Sequence, residues 1–183
     1  MPENLIEIGS RRGLARYLVQ VVGPVCSGLS GERLPGPRLG WRFTPEPGCD
    51  IGLWVQIENW GRAFRLDDAK RTYAIRWEAG VGRPGPDMYE HASLTHGTVT
   101  LMGAVDREMR EFLAQESWRI LRSVVGDDVA DAAVDELALN HRVEEDDSFY
   151  PVRAERDVDR LVPVLATYLP RMLAQAASRA RSG

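Results

Sequence analysis

The chain has 183 residues, 44% of them hydrophobic and 27% charged, with a formal net charge of −4. These figures exclude whole-chain disorder and fit one globular α+β domain over 1–183, large enough to bury roughly 70% of its unfolded surface. The acidic balance disfavours nucleic acid as a partner, and no apolar stretch reaches the roughly 18 residues that a membrane span needs.

In chain order, the first element is an amphipathic helix. Leu14, Leu18, Val21 and Val22 recur at helical spacing with arginines opposite, from near Glu3 or Ser10 to Val22, and Gly23-Pro24 is expected to end it. Ser10-Arg11-Arg12-Gly13-Leu14 followed by Cys26 faintly resembles a twin-arginine export signal. Arg16 and Gln20 interrupt the apolar run and Gly23-Pro24-Val25 is a poor cleavage context, so a helix is favoured. Cys26 and Cys49 are too few for a disulfide scaffold and form no CxxC pair; they read as buried thiols in a reducing cytoplasm.

Residues 27–50 are rich in glycine and proline and read as a surface connection, with a short strand through Leu39 to Phe43. The strongest signal follows. Ile51, Leu53, Val55 and Ile57 alternate with Gly52, Trp54, Gln56 and Glu58, and Tyr73, Ile75 and Trp77 alternate with Ala74, Arg76 and Glu78. A period of two puts each set on one face of a strand, so Ile51–Asn59 and Arg71–Ala79 are expected to pair antiparallel. Ala63-Phe64-Arg65-Leu66 is a candidate extra strand beside the turn-like Asp67–Lys70. Trp41, Trp54, Trp60 and Trp77 gather in or just before this sheet and mark the core. Gly80 to Pro86 reads as a loop, and Thr95, Thr98, Val99 and Thr100 favour a further strand between Ala92 and Met102.

The period then changes to that of a helix. Val105, Met109, Phe112, Leu113, Ile120, Leu121 and Val124 form one stripe ended by Gly126, with Glu116 as a mismatch within it. Asp127 or Asp128 can cap a next helix bearing Val129, Ala133, Val134 and Leu137. Phe149 to Val152 suits a closing strand. Asp157 then caps a C-terminal helix, in which Pro163 and Pro170 predict a kink or a division into two. A helix, four to five antiparallel strands, and three or more helices packed on one sheet face make an α+β fold.

The catalytic templates each lack a part. His91 and His96 are five apart and would face opposite sides of a strand, with His141 distant, so no metal or cofactor is expected. Asp50, Glu58 and Glu78 lie on or beside adjacent strands. Glu58 and Glu78 on one face would suit a divalent metal or acid–base work in a hydrolase, a nuclease-like enzyme or a small-ligand domain. A nuclease of the restriction type wants a lysine two residues past its second acid, and that position is Trp60; the chain's one lysine is Lys70. The other 22 basic residues are all arginine, which reads first as GC-rich bacterial coding. The glycines from Gly80 to Gly85 lack the strand–turn–helix setting of a dinucleotide loop, and there is no GxSxG elbow.

Binding candidates remain. Trp60, Arg62 and Arg65 are of the types enriched at interface hot spots, and Trp60 sits where the alternation breaks, as at a bulge. Glu144, Glu145, Asp146 and Asp147 form an acidic run that suits either a partner or plain solvent. The expectation is a non-catalytic, cytoplasmic accessory, adaptor or immunity-type factor whose partner is another protein, with self-association compatible and membrane association not expected.

Overall fold

The computed structural model describes residues 6–35, 39–59, 73–81, 98–128 and 150–182. Helix α1, Arg11–Gly28, starts where the Ser10 side chain accepts the Gly13 N–H at 3.0 Å. Leu14, Leu18, Val22 and Cys26 follow at four-residue steps, and each is fully buried. That stripe carries the helix through Pro24, past the expected stop at Gly23-Pro24. The missing Pro24 N–H removes one helical bond, and burial of Cys26 one turn later offsets the loss. The helix ends where the Leu29 and Gly31 N–H groups converge on the Cys26 carbonyl at 3.0 and 2.8 Å.

The glycine- and proline-rich stretch holds more structure than its composition suggests. It contains β1 (Glu32–Arg33) and the seven-residue β2 (Gly40–Glu46), which turns through Pro47-Gly48 into β3 (Cys49–Asn59). Gly48 takes a φ of 80°, a conformation that suits glycine. The β2–β3 register shifts between Phe43 and Glu46.

Strand β4 (Tyr73–Val81) runs antiparallel to β3 over nine rungs, from Ile51 opposite Val81 to Asn59 opposite Tyr73. Gly80 and Val81 therefore belong to the strand, not to the loop read after it, because Gly52 and Ile51 pair with them. β5 is only Val99–Thr100, and Thr100 then caps the single turn α2 (Leu101–Ala104). β6 (Tyr150–Val152) pairs with β4 at Tyr73 to Ile75, while β5 pairs with it at Glu78 and Ala79. Both short strands share one edge of β4, and the described sheet has six strands in the order β1-β2-β3-β4, then β5 and β6.

Two long helices complete the described fold. α3 (Arg107–Val125) is capped by Asp106, whose Oδ1 accepts the Met109 N–H at 2.9 Å, and it stops at Gly126 with φ 81°. α4 (Glu155–Ser182) is one uninterrupted helix containing Pro163 and Pro170. Of the two outcomes expected there, a kink or a division into two helices, the division does not occur. Its apolar face, from Val158 through Leu161, Leu165, Leu169, Met172 and Leu173 to Ala177, is buried along its length. That burial outweighs two lost backbone bonds. Asp157 caps the helix by reaching back, its Oδ2 accepting the N–H groups of Arg153 at 3.0 Å and Ala154 at 2.9 Å.

The core lies between α4 with α1 and the sheet face bearing Ile51, Leu53, Val55, Ile57, Ile75 and Trp77. The α+β arrangement is thus the one expected. Among the described residues, no helix is long and apolar enough to cross a membrane. The strand at Ala63–Leu66 and the helix at Val129–Leu137 fall outside the described residues.

Candidate functional site

The opposite sheet face is where the sequence places its acids. Directly paired residues of an antiparallel ladder point the same way, so Trp54 with Glu78, Gln56 with Arg76, and Glu58 with Ala74 share this second face. Glu58 and Glu78 do lie on one face. They stand two rungs from a shared position, with the Gln56–Arg76 pair between them, about 13 Å apart along the strand.

A continuous polar ladder fills that interval. Glu58 Oε1 accepts from Gln56 Nε2 at 3.1 Å, Gln56 Oε1 accepts from Arg76 Nη2 at 2.9 Å, and Arg76 Nη2 meets Glu78 Oε1 at 2.6 Å. The ladder runs from exposed Glu58 to Glu78, only 3% exposed, and Arg76 is 8% exposed. Each buried charge is compensated by the other, the condition under which such groups persist in an interior. Asp50 sits four residues before Trp54 on the same strand face, about 13 Å from that rung, and its Oδ1 accepts from Thr44 Oγ1 at 2.7 Å. The three acids are spread along the face and do not converge. Among the described residues, no group of three or more His, Cys, Asp or Glu is placed to hold a metal.

On the same face the Trp54 indole lies over glycine backbone. A Cβ at Gly52 would come within 2.1 Å of Trp54 Cζ2, and one at Gly40 within 2.7 Å of Trp54 Cδ1. Trp54 is 6% exposed, and its Nε1 has no hydrogen-bond partner among the described residues.

Sequence periodicity missed a second charged cluster, at the junction of α3, β6 and α4. Glu116 Oε2 accepts from Arg119 Nε and Nη2 at 3.2 and 3.1 Å, and from Arg160 Nη1 at 2.5 Å. Asp157 Oδ1 lies 3.9 Å from Arg119 and 4.0 Å from Arg156. Arg153 donates to the Ser123 carbonyl at 2.9 Å and to Glu7 at 3.2 Å, tying the N-terminal segment to α3. Burial raises the Glu116 pKa, but Arg119 and Arg160 outweigh it and hold the carboxyl below its usual range. Tyr150 beside them is pushed upward, first by burial and then by Asp157 and Glu116. The one hint in the sequence was Glu116 itself, a charge within an apolar stripe.

Trp60, Arg62, Arg65, Glu144, Glu145, Asp146 and Asp147 lie outside the described residues, as do His91, His96 and His141. Comparison of the chain with protein-family models, curated proteins and solved structures finds no significant match.

Proposed function

We propose that the chain works by binding another protein, as an accessory, adaptor or immunity-type factor, and not by chemistry on the polar sheet face. The observation that supports this most directly is the engagement of Glu78. It is buried, held by Arg76 at 2.6 Å, and separated from Glu58 by a rung of the ladder. The Gln56–Arg76 rung stands between the two acids and bonds to both of them, which supports a structural role for the pair over a shared metal or proton.

The proposed contact residues are Trp60, Arg62 and Arg65, in the connection that follows the last β3–β4 rung at Asn59 and Tyr73, together with the acidic run Glu144–Asp147. A Trp–Arg grouping is of the kind that carries hot-spot energy in interfaces. The test is affinity capture from the native host with the tagged full chain and with Trp60→Ala. A partner retained by the wild type and lost by the variant, at equal thermal stability, is the expected result. Equal capture by both proteins discards the Trp60 assignment.

A further inference from the structure

We propose that the arginine cluster over Glu116 and Asp157 is a docking surface for an acidic peptide segment of a partner protein. This rests on the protein-binding reading above and adds the chemistry of the partner.

The cluster is layered. Two carboxylates lie beneath, with side-chain exposures of 18% for Glu116 and 4% for Asp157. Arg119, Arg156 and Arg160 reach them, each between 36% and 44% exposed, while the Arg153 guanidinium is turned to Glu7 and the Ser123 carbonyl. A guanidinium carries five N–H donors in a fixed fork. Arg160 uses Nη1 on Glu116, and Arg119 uses Nε and Nη2, so among the described residues Arg160 Nη2 and Arg119 Nη1 keep unused donors at a surface. The two acids hold Arg119, Arg156 and Arg160 in place, which lowers the ordering cost of binding an anion.

The rest of the chain makes the location informative. The net charge is −4, whereas this cluster sets four arginines against three acids, Glu116, Asp157 and Glu7, and so differs in sign from the molecule that carries it. Separate guanidinium forks suit spaced glutamate or aspartate side chains, and the overall charge of −4 disfavours a nucleic-acid polyanion. An acidic protein segment is therefore favoured over nucleic acid.

The test titrates fluorescein-labelled hexaglutamate with the full chain at low salt and reads anisotropy. The double variant Arg119→Gln/Arg160→Gln is expected to weaken binding about tenfold or more, and Arg160→Lys to weaken it less. Arg107→Gln, at the other end of α3, is expected to leave binding unchanged. Hexathymidylate is expected to bind more weakly than the peptide. Circular dichroism checks folding, and if the double variant unfolds, Arg156→Gln replaces it with the same expected direction. Equal affinity of the wild type and the cluster variant overturns the proposal, and so does tighter binding of hexathymidylate. A natural partner that still binds the cluster variant overturns this surface while the protein-binding reading stands. Hexaglutamate binding lost in the variant, with no host protein captured, supports the surface and counts against that reading.

Discussion

Trp54 lies flat across the backbone of Gly52, with Cζ2 2.1 Å from the position a Cβ would take. The directly opposed Gly40 leaves the same kind of space under Cδ1. Glycine inside a strand ordinarily weakens it. Here the absent side chains are the space that the indole occupies, which converts two weak strand positions into a packed patch.

Replacing Gly52 by alanine should therefore destabilise the protein by about 1–3 kcal/mol, the range for overpacking a tight site. In a Trp54→Ala background the same change should cost far less. Urea unfolding of the four proteins in the cycle measures the coupling, and additive effects would show that the ring and the glycine do not depend on each other.

The buried pair Arg76–Glu78 makes a second prediction. Glu78→Ala leaves a guanidinium buried at 8% exposure without its carboxylate, and should cost about 3–5 kcal/mol. The double change Arg76→Met/Glu78→Leu removes both charges and should recover most of that loss. If the double variant is less stable than Glu78→Ala, the charges contribute more than compensation for their own burial.

Glu116 gives the pH dependence. Its carboxyl is lowered from the ordinary 4.5 in the folded protein, so the unfolded chain binds its proton first as pH falls. The stability it contributes is fully present above about 4.5 and is lost as pH drops through the lowered folded value. The gap in urea midpoint between the wild type and Glu116→Gln should be constant near neutrality and close in acid. A gap that persists at acid pH would remove the electrostatic explanation.

The two cysteines should differ in reactivity. Cys26 is fully buried on α1 and burial pushes its thiol up to about 12, whereas Cys49 is only half-buried. A disulfide reagent should titrate Cys49 first in the native protein, and Cys26 only on unfolding. Rapid native labelling of Cys26→Ser and Cys49→Ser at the same rate would contradict the burial.

Much of the architecture was legible because it is written locally. The alternation from Ile51 to Glu58 and from Tyr73 to Glu78 marks the central hairpin. Leu14, Leu18 and Val22 mark α1, and Gly126 and Asp157 mark helix ends. Each of these is a preference of a few neighbouring residues, so a single sequence displays it.

The tertiary structure decided the rest, because the outcome depended on energies gathered from distant parts of the chain. Pro24, Pro163 and Pro170 read locally as breaks, yet burial of Cys26 and of the α4 face against the sheet outweighs the bonds they remove. Gly80 read as the start of a loop until its pairing with Gly52 placed it in β4. Glu78 read as a candidate acid, and Glu116 as a flaw in a stripe. Only the folded structure showed that Glu78 is buried and held by Arg76 of its own strand, and that Glu116 is held by Arg119 of its own helix and by Arg160 from α4.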